Sequence, residues 1–172
     1  TVDGDPTWTT YRNVDGAVLS AIEGSLSYKK SLTIHDMVVG LRPFLNFAYY
    51  TQRELKDKNY ADALNTDTVP YVPLWDAVGG LELNINRKVN FIFSGLYTGD
   101  EKQENWNWLS PTYGQALDKG GFVLYSARLS IRPSKYFNFF LDCENLTDKK
   151  YAFVEGYPMP GRTFLVVLEA RY

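Results

Sequence analysis

Several features that define common protein classes are scarce or missing in this sequence. Its 172 residues include one cysteine, Cys143, and one histidine, His35, so neither an internal disulfide nor a zinc cluster of Cys and His is expected. No run of about 18 apolar residues occurs, which excludes a transmembrane helix. The formal charge of −2 gives no sign of the basic surface that a nucleic-acid partner requires. We expect no metal, no cofactor and no nucleic acid.

The sequence is rich in aromatic side chains, which make up 16% of its residues. Aromatic and β-branched residues favour strands over helices. Apolar and polar residues alternate with period two in six segments, and less cleanly in two earlier ones near 7–14 and 17–30. The alternation predicts an all-β chain of eight antiparallel strands joined as consecutive hairpins.

The predicted connections are of two kinds that alternate along the chain. Short turns are expected at Lys30–Leu32, Asn86–Lys88 and Pro133–Lys135, and long polar connections at 54–68, 100–119 and 147–160. The one exception is a short connection at 13–16, where a long one is due. Short turns on one rim and long loops on the other are typical of bacterial outer-membrane barrels, in which the short rim lies in the periplasm.

Two levels of aromatic residues support the same orientation, because amphipathic rings favour the two membrane interfaces. One level is expected at the short turns and consists of Tyr28, Tyr136 and Tyr172. The other is expected near the long loops and consists of Tyr49, Trp75, Tyr97 and Tyr125. A soluble antiparallel sandwich would show the same alternation. Its strands average about 5–6 residues, however, whereas several segments here reach about 10–15, enough to cross a bilayer at a tilt.

The alternation also assigns the two faces of the sheet. The predicted lipid-facing residues are Val123, Ala127, Leu129, Phe137, Phe139, Leu141, Cys143, Val166 and Leu168. The predicted lumen-facing charged residues are Arg42, Glu82, Arg128, Asp142, Glu144, Glu169 and Arg171, with Asn138 beside them. Salt bridges among these charges, or contacts with a plug, are favoured over direct contact with a substrate.

The last third of the chain carries motifs that identify a resemblance. Asn145-Leu-Thr-Asp148, Tyr151, Gly156-Tyr-Pro-Met-Pro-Gly-Arg162 and the alternating strand that ends at Tyr172 resemble the C-terminus of TonB-dependent outer-membrane receptors. Upstream, three more stretches resemble the same family: Asn13–Gly16 through Ile22–Gly24, Tyr71–Trp75 and Tyr97–Asp100. The set is in the family's order and covers nearly the whole chain.

The resemblance implies a membrane barrel of about 22 strands with a plugged lumen. Residues 1–172 would be its C-terminal eight strands, with about fourteen strands, the plug and the energy-coupling segment lying in a longer protein. Such a receptor imports a scarce nutrient, such as a ferric siderophore or cobalamin. Its partners would be outer-membrane lipid, the plug domain, TonB, the small-molecule or metal-chelate substrate, and the barrel-assembly machinery. The assembly signal would be Phe164, Val166, Leu168 and Tyr172.

No constellation of residues indicates catalysis, and we do not expect an enzyme. Trp106, Trp108 and Tyr113 lie between polar residues of the connection 100–119, where aromatics can capture a ligand, although packing between loops or headgroup anchoring fits equally. A self-contained eight-stranded barrel that acts as an anchor or adhesin remains an alternative. In that case residues 7–14 would pair with 163–171; otherwise the sheet should be open.

Overall fold

The computed structural model describes residues 16–171, which form ten β-strands and one short helix. The strands are β1 Ala17–Ser27, β2 Lys30–Ile34, β3 Met37–Leu55, β4 Trp75–Ile85, β5 Val89–Thr98, β6 Glu101–Glu104, β7 Ala116–Lys119, β8 Phe122–Ser134, β9 Phe137–Glu144 and β10 Thr163–Ala170, and the helix α1 is Lys58–Leu64. Within residues 16–171, no helix is long and apolar enough to cross a membrane.

Eight of the strands form one antiparallel sheet in the order β1-β3-β4-β5-β8-β9-β10, with β2 also on β3, while β6 and β7 pair separately. Neighbours in the large sheet are also neighbours along the chain, apart from the β6–β7 insertion. The predicted all-β fold of consecutive hairpins is therefore confirmed. The strand expected near 7–14, the connection 13–16 and Tyr172 lie outside the described residues, so the proposed pairing of 7–14 with 163–171 remains a prediction.

The turn predicted at Lys30–Leu32 is wrong, because those residues continue the first strand. Ser27 faces Phe44 on β3, and Lys30 faces Leu41 in the same unbroken register. The gap between β1 and β2 lies opposite Pro43. Proline has no N–H, so only the bond from Tyr28 N to Pro43 O (3.2 Å) remains there.

The first turn is made instead by His35 and Asp36, which join the facing residues Ile34 and Met37. His35 has φ 53°, the left-handed conformation common in tight turns. Tyr28 consequently lies well inside the long strand. The prediction that it belongs to an aromatic level at the short turns is therefore wrong.

The other two short turns were predicted correctly or nearly so. Ile85 faces Val89 across the turn Asn86–Lys88, and both Asn86 and Arg87 have positive φ. The predicted turn at Pro133–Lys135 begins too early. After an irregularity in the ladder between Ile131 and Ser134, strand β8 continues to Ser134, and the turn residues are 135 and 136.

The three long connections are confirmed but are more ordered than loops. Residues 56–74 contain α1, which begins after Asp57, whose carboxylate accepts the N–H of Tyr60 at 3.1 Å, and ends at Asn65 in the left-handed conformation. Residues 99–121 contain the β6–β7 hairpin, and residues 145–162 form the third connection. All three lie at the end of the sheet opposite the short turns.

The register of the sheet separates its side chains onto two faces, because directly paired residues point to the same side. One row across six strands consists of Leu41, Leu83, Phe91, Leu129, Leu141 and Val166. The adjacent row, on the other side, consists of Arg42, Glu82, Ile92, Arg128, Asp142 and Leu165. We call the two sides the apolar face and the polar face.

The apolar face is exposed. Leu26, Phe164 and Leu168 are 70%, 67% and 70% exposed, respectively. Among residues 16–171, few apolar side chains are buried, and most of these lie near the long connections rather than behind the sheet; they are Leu55, Leu64, Phe122, Leu124 and Cys143. A soluble sandwich would bury one face of the sheet against another layer, and residues 16–171 supply no such layer.

A band of aromatic side chains crosses the apolar face near the long connections. The rings of Tyr49 and Trp75 lie 4.3 Å apart, Tyr97 follows on β5, and the ring of Tyr125 stacks on that of Phe93 at 5.9 Å. Tyr49, Trp75, Tyr97 and Tyr125, which we call the aromatic band, thus lie together at the level expected from the sequence.

Candidate functional site

The polar face carries two ion pairs between neighbouring strands. Arg42 Nε donates to Glu82 Oε2 at 2.8 Å, joining β3 to β4. The Arg128 guanidinium donates in the same way to the Asp142 carboxylate, joining β8 to β9. All four residues were predicted to share a face, and the structure pairs them. Because both arginine side chains are largely exposed, each pair contributes at most about 1 kcal/mol to stability.

A second polar group lies nearer the short turns, around the buried side chain of Asn138. Its amide donates to Glu169 Oε2 at 3.0 Å, and its oxygen accepts from Arg132 Nε at 2.8 Å. Arg171 lies 3.7 Å from the same Glu169 carboxylate. Glu144 is exposed at the other end of β9, and no described cation lies within salt-bridge distance of it.

The long connections meet on strand β6. Gln103 is completely buried, and its amide nitrogen donates to Phe153 O at 2.5 Å while its oxygen accepts from Glu155 N at 2.7 Å. Glu101, also buried, accepts from the same amide and from Lys119 Nζ at 3.2 Å. One side of β6 is therefore fixed to the connection 145–162.

Aromatic rings extend this contact between the connections. Phe122 lies 5.2 Å from the ring of Tyr151 and 5.6 Å from that of Phe153, and the ammonium group of Lys119 lies 4.8 Å over Phe122. These rings pack the connection 145–162 against the start of β8.

The other side of β6 is fixed to the connection 56–74. Tyr71 N donates to Lys102 O at 2.7 Å and Leu74 N to Asp100 O at 3.0 Å. The hydroxyl of Tyr60, on α1, donates to the Glu104 carboxylate. Burial, together with the adjacent Glu104, raises the pKa of Tyr60 well above its ordinary value, so this tyrosine stays protonated and remains a donor.

At the tip of the β6–β7 hairpin, two of the three predicted ligand-binding aromatics come together. The rings of Trp106 and Tyr113 meet edge to face at 6.1 Å, and Trp106 Nε1 donates to the Tyr71 hydroxyl at 3.2 Å. Trp106 and Tyr113 are 57% and 50% exposed, so they present an open aromatic surface. Trp108 stands apart, more exposed still, and belongs to no ring pair in the described chain.

Sequence reasoning missed Tyr71 and Gln103. Tyr71 has φ 62°, a conformation uncommon for tyrosine, and nothing local in the sequence indicates it. Gln103 lies in the polar run Glu101-Lys-Gln-Glu-Asn105, which is typical of an exposed loop. Its burial depends on residues about fifty positions away, so only the tertiary structure reveals it.

The remaining predicted residues lie as follows. Phe164, Val166 and Leu168 are exposed on the apolar face of β10, and the fourth predicted member of the assembly signal, Tyr172, is outside the described residues. Between residues 16 and 171, no three His, Cys, Asp or Glu side chains are grouped to hold a metal ion.

Comparison with solved structures gives a fold. No protein-family model matches the chain. No curated protein matches it either. The chain is similar to the siderophore receptor PirA from Acinetobacter baumannii, with a TM-score of 0.63 and 18% identity over 90% of this chain. It is also similar to a variant of the ferric enterobactin receptor PfeA from Pseudomonas aeruginosa, with a TM-score of 0.63 and 21% identity over 92% of this chain. A third similar structure is the closed form of the ferric-catecholate import receptor Fiu from Escherichia coli K12, with a TM-score of 0.53 and 15% identity over 88% of this chain.

The chain spans 22%, 23% and 28% of the length of these receptors, respectively. At such identities the match establishes architecture, which agrees with the hairpin order and the two unlike faces. The chain therefore has the fold of one part of the barrel of a TonB-dependent outer-membrane receptor.

Proposed function

We propose that this chain is part of the membrane barrel of an outer-membrane receptor that actively imports a scarce nutrient, such as a ferric siderophore or cobalamin. The observation that carries the proposal is the exposed apolar face, which extends over seven neighbouring strands and ends in the aromatic band. An exposed apolar surface of this extent marks contact with lipid or with a partner. The aromatic band favours lipid, because such rings collect at membrane interfaces.

The polar face then forms part of the lumen wall. Its exposed ion pairs suit a wet interior. Two hollows of about 300 and 310 Å³ share Glu82, Asn84 and Arg87 in their lining near the short turns. Such a surface fits a hydrophilic plug supplied by another part of the protein. In this arrangement the barrel-assembly machinery recognises the apolar side of β10. TonB acts on the plug rather than on residues 16–171.

The long connections form the extracellular rim, and the exposed pair Trp106 and Tyr113 provides a capture surface for the substrate. Fixing both sides of β6 holds this surface in place before a ligand arrives, which reduces the entropy lost on binding. This role involves no catalytic step in the chain. The similar structures are themselves named as receptors for siderophores, ferric enterobactin and ferric catecholates, which supports an iron chelate as the substrate class.

The test is uptake by cells in which the full-length protein is the sole candidate receptor. A panel of radiolabelled ferric catecholates, ferric hydroxamates and cobalamin is supplied to cells with and without a working TonB system. We expect saturable uptake of one class, abolished when energy coupling is removed. No uptake of any substrate in energised cells expressing folded protein would refute the proposal.

The alternative of an eight-stranded anchor or adhesin is favoured by one observation, the exposed aromatics at the loop tip. It predicts no uptake and a loss of cell attachment when the gene is deleted. The same strains therefore separate the two functions.

A further inference from the structure

Tyr71 occupies a backbone position that favours glycine. It follows Pro70 in a turn of the connection 56–74 and has φ 62°. A proline followed by a residue with positive φ is the arrangement of a type II β-turn, in which the second of these positions is usually glycine because a side chain there is strained. A tyrosine in this conformation indicates that its side chain has a role that offsets the strain.

The backbone around Tyr71 is attached to two strands. Tyr71 N donates to Lys102 O on β6 at 2.7 Å. Arg53, on β3, donates from Nη1 to the carbonyl oxygen of the next residue, Val72, also at 2.7 Å. The side chain of Tyr71 therefore extends from a turn that the sheet and the β6–β7 hairpin both support.

The side chain of Tyr71 reaches the tip of the hairpin. Its hydroxyl accepts from Trp106 Nε1 at 3.2 Å. The indole N–H is the one hydrogen-bonding group of a tryptophan side chain, and here it is used on a residue of another connection. Because Trp106 is 57% exposed, this bond and the edge-to-face contact with Tyr113 at 6.1 Å restrict the orientation of its ring.

From this geometry we infer that Tyr71 is a positioning residue, whose hydroxyl holds Trp106 in the orientation that binds the substrate. The inference rests on the proposed function, which makes Trp106 and Tyr113 the capture surface. The hydroxyl acts through the indole and not by contact with the substrate. A ring that is already oriented loses less entropy on binding, so the hydrogen bond increases affinity.

The first test is a double-mutant cycle on the full-length receptor in detergent. Equilibrium dialysis measures its Kd for a radiolabelled ferric catecholate, a ferric hydroxamate and cobalamin. Tyr71→Phe keeps the ring and removes only the hydroxyl, so we expect the Kd to rise about 2- to 5-fold. Trp106→Phe removes the indole N–H, and the double variant should bind no more weakly than Trp106→Phe alone. The control Tyr157→Phe removes a hydroxyl from a tyrosine that is 71% exposed on the connection 145–162, and should leave the Kd unchanged.

The second test needs no ligand. Fluorine NMR is recorded on the full-length receptor with its tryptophans replaced by 5-fluorotryptophan, and the Trp106 resonance is identified as the one that Trp106→Phe removes. Tyr71→Phe should shift this resonance and narrow it, because the ring gains mobility, whereas Tyr157→Phe should not change it. If Tyr71→Phe does not fold, Tyr71→Gly, which a turn with positive φ accepts without strain, supplies the same comparison.

Three outcomes overturn the inference. They are an unchanged Trp106 resonance in Tyr71→Phe, an unchanged Kd in that variant, and additive losses in the double variant, which would mean that the hydroxyl contacts the substrate directly. A receptor that binds none of the three compounds refutes the proposed function, and the NMR comparison alone then decides whether Tyr71 positions Trp106.

Discussion

The assignment of the two faces can be tested by placing the same charge on each. Leu141 lies on the apolar face in the middle of β9, where its partners are Leu129 and Val166. If this face contacts lipid, Leu141→Arg moves a guanidinium from water to the middle of the bilayer. That transfer costs about 2–4 kcal/mol for an arginine at the midplane of a barrel. The ratio of folded to unfolded protein should then fall by about 30- to 700-fold.

The matched control places arginine on the polar face. Asn138 is unsuitable because it is buried and bonded to both Glu169 and Arg132, so its replacement would also break those bonds. Ser126 is better, because it lines a hollow of about 200 Å³ together with Arg128, Asp142 and Glu144. Asp142 is already paired with Arg128, and the Glu144 carboxylate, which has no described cation within salt-bridge distance, can accept the new guanidinium. Ser126→Arg should cost less than about 1 kcal/mol.

Both variants can be compared in the full-length protein refolded into phosphatidylcholine vesicles. Unfolding by guanidinium chloride, followed by tryptophan fluorescence, gives the free energy of unfolding, provided the transition is reversible. Equal losses for Leu141→Arg and Ser126→Arg would refute the assignment of lipid and lumen to the two faces. A larger loss for Ser126→Arg would reverse it.

Three further predictions concern the long connections. Gln103→Leu removes the hydrogen bonds to the Phe153 carbonyl and the Glu155 N–H, at about 0.5–1.5 kcal/mol each. Protease should therefore cut within 145–162 faster in intact cells, whereas Gln115→Leu should have no effect. Trp106→Ala and Tyr113→Ala should each raise the KM for uptake about 2- to 10-fold at unchanged maximal rate, because the two rings form one surface. A larger increase in KM for Trp108→Ala would contradict the assignment of the capture surface to this ring pair. Protease added to intact cells should cut the connections 56–74, 99–121 and 145–162 and spare the turn at residues 135–136. Cleavage at that turn would show that the short turns, not the long connections, face the outside of the cell.

The strands of the large sheet could be predicted from the sequence because most of them place apolar side chains on one face and polar side chains on the other. Period-two alternation records that difference directly, and it located the six later strands of the sheet and the three long connections. It failed at Lys30–Leu32, where a turn was predicted. The actual cause of the irregularity there is Pro43 on the facing strand, which weakens the ladder without ending it. Because the irregularity is caused by a proline on the facing strand, the sequence of the interrupted strand itself does not indicate it.

The candidate site was predicted less completely. The aromatic residues Trp106 and Tyr113 are conspicuous by type, so the sequence named them as candidates; their role in ligand binding remains a prediction. The partners that hold them, Tyr71 and Gln103, were missed because their roles depend on contacts between separate connections. The pairing of charges on the polar face followed from the face assignment, but the burial of Asn138 between two charged partners did not.

The hairpin order of the sheet has a consequence for how proteins of this shape can change in evolution. Because neighbouring strands in the sheet are also consecutive in the chain, apart from the β6–β7 insertion, each hairpin is a separable unit of sequence. Duplication or deletion of one hairpin alters the strand number by two and leaves every other pairing intact. The circumference of such a barrel can therefore be changed by recombination within a gene, and the alternation of short turns and long connections, and with it the sidedness of the protein, is preserved at each step.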